Sequence, residues 1–119
     1  MVASGTAFPR AHRLLAAADF SRVFAGADRS SDGFFTVLAR LNELSCARLG
    51  LAISRRVAPR AVDRNRLRRL ARESFRQLGL APLDYVVMAR RDAVTAPSPS
   101  LRSSLDRHFL QLSRRAVGA

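Results

Sequence analysis

The residues best suited to chemistry in this sequence are arginines, and the chemistry that they suit is the binding of phosphate. Ten consecutive residues, 64–73, contain five arginines and Asn65. At about 100° per residue, Leu67 and Leu70 fall on one arc of a helix, and the polar residues fall on a neighbouring arc. That polar arc, here called the arginine stripe, consists of Asn65, Arg68, Arg69, Arg72 and Arg76. Because a row of like charges repels itself, the spacing favours a polyanion as its partner.

A basic helix can also be an ordinary solvated face. Solvated faces normally mix acidic and basic residues at i,i+4 spacing, whereas Glu73, the acid within 64–76, lies beyond the far edge of the stripe. The whole chain has 21 basic and 9 acidic residues, a net charge of +12, and every basic residue is arginine. Arginine binds phosphate bidentately and stacks on bases. The composition therefore indicates a nucleic-acid partner.

Other features of the composition restrict where and how the protein works. The chain has no tryptophan and no apolar run as long as a membrane span, so we expect no membrane partner. Its first residues contain no continuous apolar segment, which argues against a signal peptide. Cys46 is the single cysteine, which excludes an internal disulfide and fits a reducing cytoplasm. We therefore expect a cytoplasmic protein.

The sequence offers no obvious enzyme site of protein side chains. His12 and His108 are far apart, and no histidine or cysteine has metal-ligand spacing. There is no glycine-rich phosphate loop, and no close pair of acids suits two-metal hydrolysis. His108 falls on the apolar stripe of the last helix, where a core histidine is expected. We predict no catalytic residue and no metal site in the protein, which should act by binding.

The elements that position the stripe can be read from periodicity and turn signals. We predict a single nucleic-acid-binding domain, 1–119, in which 1–11 form a flexible arm, and the element order αββαβα. The first half is predicted to contain a helix from an Asp19 N-cap to about Gly26, a loop 27–33, and strands 34–41 and 48–54 joined by a hairpin loop 42–47. The second half is predicted to contain the basic helix 61–78 ended by Gly79, a strand 84–91, a rigid loop 95–100 and a final amphipathic helix from Leu101.

Aromatic residues lie close in sequence to further basic clusters. Phe20 and Phe24 share one helical face, and Phe34 and Phe35 open the first strand on alternate sides. A groove for single-stranded nucleic acid combines basic residues with aromatic platforms for the bases. The basic clusters near element ends are Arg10 with Arg13, Arg55 with Arg56, and Arg90 with Arg91. The alternative for each phenylalanine is a place in the core.

The run 64–76 resembles the RNR signature of the protein subunit of bacterial ribonuclease P. Other segments agree with that family in order and spacing, and the resemblance covers roughly residues 8–115. These segments are Phe8-Pro9-Arg10 with Arg13-Leu14, Asp19-Phe20 with Val23-Phe24, Arg48-Leu49-Gly50-Leu51 with Ser54-Arg55-Arg56, and Asp84-Tyr85-Val86-Val87 with Ala89-Arg90-Arg91.

The resemblance implies a fold and a function. The fold is a two-layer α+β sandwich like the second domain of ribosomal protein S5, with a left-handed βαβ crossover around the basic helix. Composition does not suggest this hand, since such crossovers are overwhelmingly right-handed. The function is that of a subunit of an endoribonuclease in which a catalytic RNA removes the 5′ leader of precursor tRNA. The implied partners are that RNA, in a 1:1 complex, and precursor tRNA, with Mg²⁺ bound mainly by the RNA.

The resemblance also implies roles for individual residues. The residues expected to contact the RNA subunit are Arg64, Asn65, Arg66, Arg68, Arg69 and Arg72. The residues expected to line a cleft for the single-stranded leader are Arg13, Phe20, Phe24, Phe35, Arg55, Arg56 and Arg90. This chain departs from the family where Arg55, Arg56 and Arg68 replace lysines, and where Leu38 aligns with an aromatic residue of some relatives.

Three alternatives remain open from the sequence. A ribosomal or ribosome-assembly protein of similar fold would need the stripe but not the aromatic cleft. A DNA-binding regulator is disfavoured because strands, rather than a helix and a tight turn, precede the basic helix. A protein-only nuclease is disfavoured by the few acids.

Overall fold

The computed structural model describes Arg13 and residues 16–118. The helices are Ala17–Ala25 (α1), Ala61–Gln77 (α2), Asp92–Thr95 (α3) and Ser98–Gly118 (α4), and the strands are Asp28–Ser31 (β1), Phe35–Leu41 (β2), Arg48–Ala52 (β3) and Leu83–Ala89 (β4). The α+β class is confirmed, and β1 and α3 are additional to the predicted order αββαβα. The predicted arm 1–11 and His12 lie outside the described residues.

The sheet has the strand order β1-β2-β4-β3, with β3 and β4 parallel and the other pairs antiparallel. The prediction of a hairpin loop at 42–47 is wrong, because β4 lies between the two strands that this segment connects. The physical reason is the burial of β4 on both faces: Tyr85, Val86 and Val87 are each 0% exposed. A strand without a polar side belongs at the centre of a sheet. The crossover from β3 through α2 to β4 is present, and its left hand stays a prediction.

Strand β1 corrects the prediction of a loop at 27–33. Its sequence, Asp-Arg-Ser-Ser, contains only polar residues, and local patterns assign such residues to loops. The strand nevertheless pairs with β2, with Ser30 opposite Val37 and Ser31 opposite Thr36. β1 has a neighbouring strand on one side only. An edge strand can be polar because little of its surface enters the core.

Helices cover both faces of the sheet. On one face, α2 and α4 pack against alternate residues of β2, β3 and β4, and this is the main core. On the other face, Val23 of α1 packs with Leu38 and Val86, and Phe20 and Met88 are partly buried against them. The period-2 alternation of each strand divides its side chains between these two clusters. The side of the sheet that carries α1 is called the α1 face below.

The helix ends agree partly with the sequence. Gly79 follows the C-cap of α2 with φ +58°, as predicted for a glycine that ends a helix. Asp19 is not the N-cap of α1, because the helix begins at Ala17 and the cap position is Ala16. The predicted rigid loop 95–100 is largely helical, since α4 begins at Ser98. Pro99 lies in its first turn, where a missing N–H breaks no helical hydrogen bond.

Candidate nucleic-acid interface

The arginine stripe lies on the solvent side of α2. Leu67, Ala71 and Phe75 are buried against the sheet, which leaves the opposite side of the helix exposed. The exposed residues recur at i, i+4, i+7 and i+11, and they are Asn65, Arg69, Arg72 and Arg76. Arg68 is half-buried beside them, and its Nη1 lies 3.4 Å from Oδ1 of Asn65. The helical periodicity in the sequence therefore identified the exposed face.

Arg66 is held inside the structure and does not join the stripe. Its Nη2 donates to the carbonyl of Val94 at 2.9 Å, and its Nη1 donates to the Ser98 hydroxyl at 2.9 Å. Two longer bonds, of 3.3 Å, reach the carbonyls of Ala93 and Ala96. The guanidinium thus satisfies backbone carbonyls at the end of α3, which a short helix leaves unpaired. The expectation that Arg66 contacts the RNA subunit stays a prediction, and these bonds argue against it because the terminal nitrogens already bind the protein.

Arg64 is also partly engaged by the protein. Its Nη1 donates to the carbonyls of Ala58 and Pro59, both at 2.9 Å. These bonds connect the first turn of α2 to the segment before it. Arg64 is half-buried, so it anchors the start of the stripe rather than standing free of the fold.

Arg13 lies beside the stripe, although the resemblance assigned it to the leader cleft. It forms an isolated parallel bridge with Leu49 of β3. Partial burial lowers the pKa of Arg72, and the nearby charges of Arg13 and Arg68 lower it further. Three guanidiniums therefore approach one another at the β3 edge of the molecule. Bringing an anion into this corner would relieve the repulsion among them.

The predicted aromatic residues of the cleft separate into three environments. Phe24 is 51% exposed on α1, and Phe20 is half-buried against the small cluster on the α1 face. Phe35 is 0% exposed within the main core, on the opposite side of the sheet. The assignment of Phe35 to the leader cleft is therefore wrong, because its ring has no surface on which a base could stack. Leu38 is also buried, beneath Val23 of α1.

The basic residues after β3 and β4 lie at one end of the sheet. The two strands are parallel, so Arg55 and Arg56 follow β3 at the same end of the sheet at which Arg90 follows β4. All three side chains are exposed. Arg90 donates through Nη2 to the Ser31 hydroxyl at 3.0 Å, and its contact with the Thr36 hydroxyl is 3.4 Å. Thr36 alternates with Val37 and so lies on the α1 face, which places Arg90 there too.

An ion-pair cluster on the α1 face could not be found from the sequence. Arg48 donates to both carboxylate oxygens of Asp84, at 2.8 and 2.7 Å, and its Nη2 lies 3.5 Å from Oδ1 of Asp19. These hydrogen bonds to Asp84 raise the pKa of Arg48. Asn42 also donates to Asp84, at 2.9 Å. The cluster joins α1 to the sheet. It could be predicted from the sequence only if Arg48 and Asp84 were known to be neighbours on parallel strands.

His108 is a buried core histidine, as predicted. It is 2% exposed, its Nδ1 lies 2.7 Å from the Ser30 hydroxyl, and its Nε2 lies 3.1 Å from Oδ2 of Asp32. Nε2 is close to this carboxylate but forms no hydrogen bond with it. Burial raises the pKa of Asp32, but hydrogen bonds from Ser104 and from the backbone N–H groups of Phe35 and Phe34 hold it well below its usual range. Ser30 is itself 7% exposed, so this serine, histidine and aspartate connect β1 to α4 rather than form a nucleophilic site.

Within the described part of the chain, no group of three or more histidine, cysteine, aspartate or glutamate residues could hold a metal ion. The helices described here are also too short or too polar to cross a membrane.

Comparisons with known proteins agree on one family. The family profile described as Ribonuclease P matches residues 8–113. The ribonuclease P protein component of Methylococcus capsulatus is 52% identical over 117 residues, covering 97% of this chain and 91% of the relative. The structure of the Staphylococcus aureus ribonuclease P protein is 28% identical with a TM-score of 0.79, covering 88% of this chain and 97% of that one. The ribonuclease P protein of Thermotoga maritima is 28% identical with a TM-score of 0.71, covering 87% and 96%.

Proposed function

Because this chain belongs to the ribonuclease P protein family, we propose that its side chains bind RNA and leave the cleavage of RNA to the RNA subunit. As a protein component of ribonuclease P, it takes part in the 5′ processing of tRNA. The observation that carries the proposal is the exposed row Asn65, Arg69, Arg72 and Arg76 on α2, opposite a fully packed apolar side. The whole chain 1–119 then acts as one RNA-binding domain, in a 1:1 complex in the cytoplasm.

The arginine stripe, with Arg13 and Arg64 beside it, binds the backbone of the RNA subunit. Arginine contacts phosphate through two parallel N–H bonds, and a helix presents such side chains at regular intervals. Partial burial and the charges of Arg13 and Arg68 lower the pKa of Arg72, and an anion bound beside these guanidiniums would offset both effects. The stripe is the strongest concentration of positive charge in the sequence, which suits docking on a folded RNA.

The single-stranded leader binds on the α1 face. Phe24 offers an exposed ring on α1, while Arg55, Arg56 and Arg90 are exposed at one end of the sheet. Aromatic rings and positive charge together bind single strands without reading a fixed sequence. Phe20 is half-buried, so it supports the ring of Phe24 on this helix and offers a base less surface.

Catalysis and Mg²⁺ belong to the RNA subunit in this proposal. The carboxylates of Asp19, Asp32, Asp84 and Asp106 are occupied by ion pairs with arginine. These residues therefore do not fit a Mg²⁺ site, and a net charge of +12 repels a free cation. The protein contributes by neutralising phosphates that would otherwise repel one another when two RNAs approach.

A reconstitution tests the proposed division of labour. The protein would be mixed with bacterial ribonuclease P RNA at low Mg²⁺, and the cleavage of a precursor tRNA would be followed. We expect the protein to stimulate cleavage at the mature 5′ end and to cleave nothing alone. Cleavage by the protein without RNA would overturn the assignment of catalysis, and a folded protein that gives no stimulation would overturn the proposal as a whole.

A second experiment tests the leader site. Phe24→Ala should weaken the binding of leader-bearing precursor tRNA to the holoenzyme by about 1–3 kcal/mol, the value of one base stacked on an aromatic ring. Binding of leaderless tRNA should not change, and the unfolding midpoint should stay close to that of the parent because Phe24 is 51% exposed. Equal weakening of both RNAs would remove Phe24 from the leader site.

A further inference from the structure

The outer face of α4 carries a second group of arginines, which lies outside the stripe and outside the basic clusters near element ends. Arg107, Arg114 and Arg115 line a shallow groove of about 620 Å³ together with Leu110 and Gln111. The last part of the helix, 107–118, contains no acidic residue. Arg107 and Arg114 are two helical turns apart, so their side chains follow one line along the helix. This set of three arginines is called the α4 patch.

Two arginines of the patch are held in position by the protein. Nη2 of Arg107 lies 2.7 Å from Oδ2 of Asp32, although the side chain remains 60% exposed. Nη1 of Arg115 donates to the carbonyl of Arg29 at 3.0 Å. A guanidinium has five N–H donors, so each of these contacts leaves several donors that face solvent. Arginines already ordered in this way lose less conformational entropy when a ligand binds.

The α4 patch lies on the same side of the sheet as the arginine stripe. The two helices pack together, and the Ser74 hydroxyl bonds Asp106 while Arg102 bonds Gln77 across their contact. α2 carries six arginines and two acids, and α4 carries four arginines and one acid. Arg107 and Arg115 bond the turn after β1 and β1 itself, whereas Arg13 and Arg72 lie at the β3 edge, on the opposite side of the sheet order. The helical side of the molecule thus carries positive charge toward both of its edges.

We propose that the α4 patch is a second RNA-binding surface, on which Arg107, Arg114 and Arg115 contact the phosphates of an RNA backbone. The charge of the patch is complementary to phosphate, and Gln111 adds an exposed amide that can bind a ribose or phosphate oxygen. The surface is separate from the α1 face and extends the RNA contact beyond α2. The RNA subunit and precursor tRNA offer the same phosphate chemistry, and the two measurements below distinguish them.

Salt dependence of binding tests the proposal in the full-length protein. Arg114→Gln and Arg115→Gln would each be compared with the parent for assembly with ribonuclease P RNA and for binding of precursor tRNA to the assembled holoenzyme. Each lost phosphate contact should reduce the slope of log K against log salt by about 1. Arg114→Lys and Arg115→Lys keep the charge and should keep most of the slope. Arg22→Gln removes one charge from the opposite side of the sheet and should leave the assembly slope unchanged.

Each outcome of this experiment decides something. A reduced slope in assembly places the patch on the RNA subunit, and a reduced slope only for precursor tRNA places it on the substrate; both support the proposal. Unchanged slopes in both measurements, or an equal change of the assembly slope with Arg22→Gln, would overturn it and leave the patch as solvated charge or as a surface for a protein. Arg69→Gln in the same assay reports on the stripe separately, so the proposed function can fail or hold independently.

Discussion

Arginine has two different roles in this molecule, and the difference depends on what each guanidinium touches. Arg48 and Arg66 point inward, to a buried carboxylate and to backbone carbonyls. Arg69 and Arg72 point outward from α2. Helical periodicity identified the outward residues because it requires only local geometry. The inward residues could not be assigned, because their partners come from segments about 30 residues away in the chain.

The ion pair of Arg48 with Asp84 should be a large contributor to stability. Asp84 has a side chain that is 3% exposed, so Arg48→Ala would leave a buried carboxylate without its partner. We expect the free energy of unfolding to fall by about 3–5 kcal/mol, measured by urea denaturation. The control is Arg22→Ala, which removes a half-exposed pair with Asp19 and should cost at most about 1 kcal/mol. Similar losses for the two variants would contradict the importance given to burial.

Arg66 and Arg69 should give opposite results although they are three residues apart. Arg66→Ala leaves several carbonyls without a donor and should lower the free energy of unfolding by about 1–3 kcal/mol. Arg69→Ala should leave stability almost unchanged and should weaken RNA binding, with a loss of about 1 in the salt slope. Thermal unfolding and RNA titration on both variants would check this. A fully stable Arg66→Ala that binds RNA poorly would show that Arg66 contacts the RNA subunit.

At the level of elements, the sequence predicted helices better than it predicted strand partners. α2 was placed within one residue at its C-terminal end, because its apolar period and Gly79 are local signals. β1 was missed because its residues are polar, and the segment 42–47 was misread because sheet order is a non-local property. The buried position of Phe35, and hence its loss from the leader site, also depended on which face of the sheet α1 would cover.

The turn between β1 and β2 should make the stability of the protein sensitive to acid. Asp32 binds Ser104 and Arg107 of α4, and its pKa in the folded state lies well below its usual range. A carboxyl group with a lowered pKa stabilises the fold above its unfolded pKa of about 3.9, and this contribution is lost as the pH falls toward its folded pKa. The difference in unfolding free energy between the parent and Asp32→Asn should therefore be constant near neutral pH and should shrink below about pH 4.

Denaturant unfolding at a series of pH values would measure that difference. Ser103→Ala is a change at an exposed position of α4 and serves as the control. Its difference in unfolding free energy from the parent should not vary with pH. A difference between the parent and Asp32→Asn that stays constant through the acid range would show that Asp32 does not connect the turn to α4 in the way the contacts indicate.

For the whole molecule, the charge of +12 should act on the rate at which RNA is found. A strong field of one sign increases association rates by about 10- to 1,000-fold, and salt screens that field. Raising ionic strength from about 0.05 to 0.5 M should thus lower the association rate constant for RNA by at least about 10-fold. Stopped-flow fluorescence would measure it. An association rate that does not depend on salt would show that encounter is governed by shape or by a slow conformational step.

The position of β4 in the sheet has a consequence for synthesis of the chain. β4 separates β2 from β3, yet it is the last of the four strands to leave the ribosome. A nascent chain that ends before Leu83 can pair β1 with β2, but its β3 has no neighbouring strand and α2 has no complete sheet to cover. The most basic helix is therefore made before the apolar surface that positions it. Packing of this helix must wait for residues translated after it, so the RNA-binding surface becomes ordered late in the synthesis of the chain.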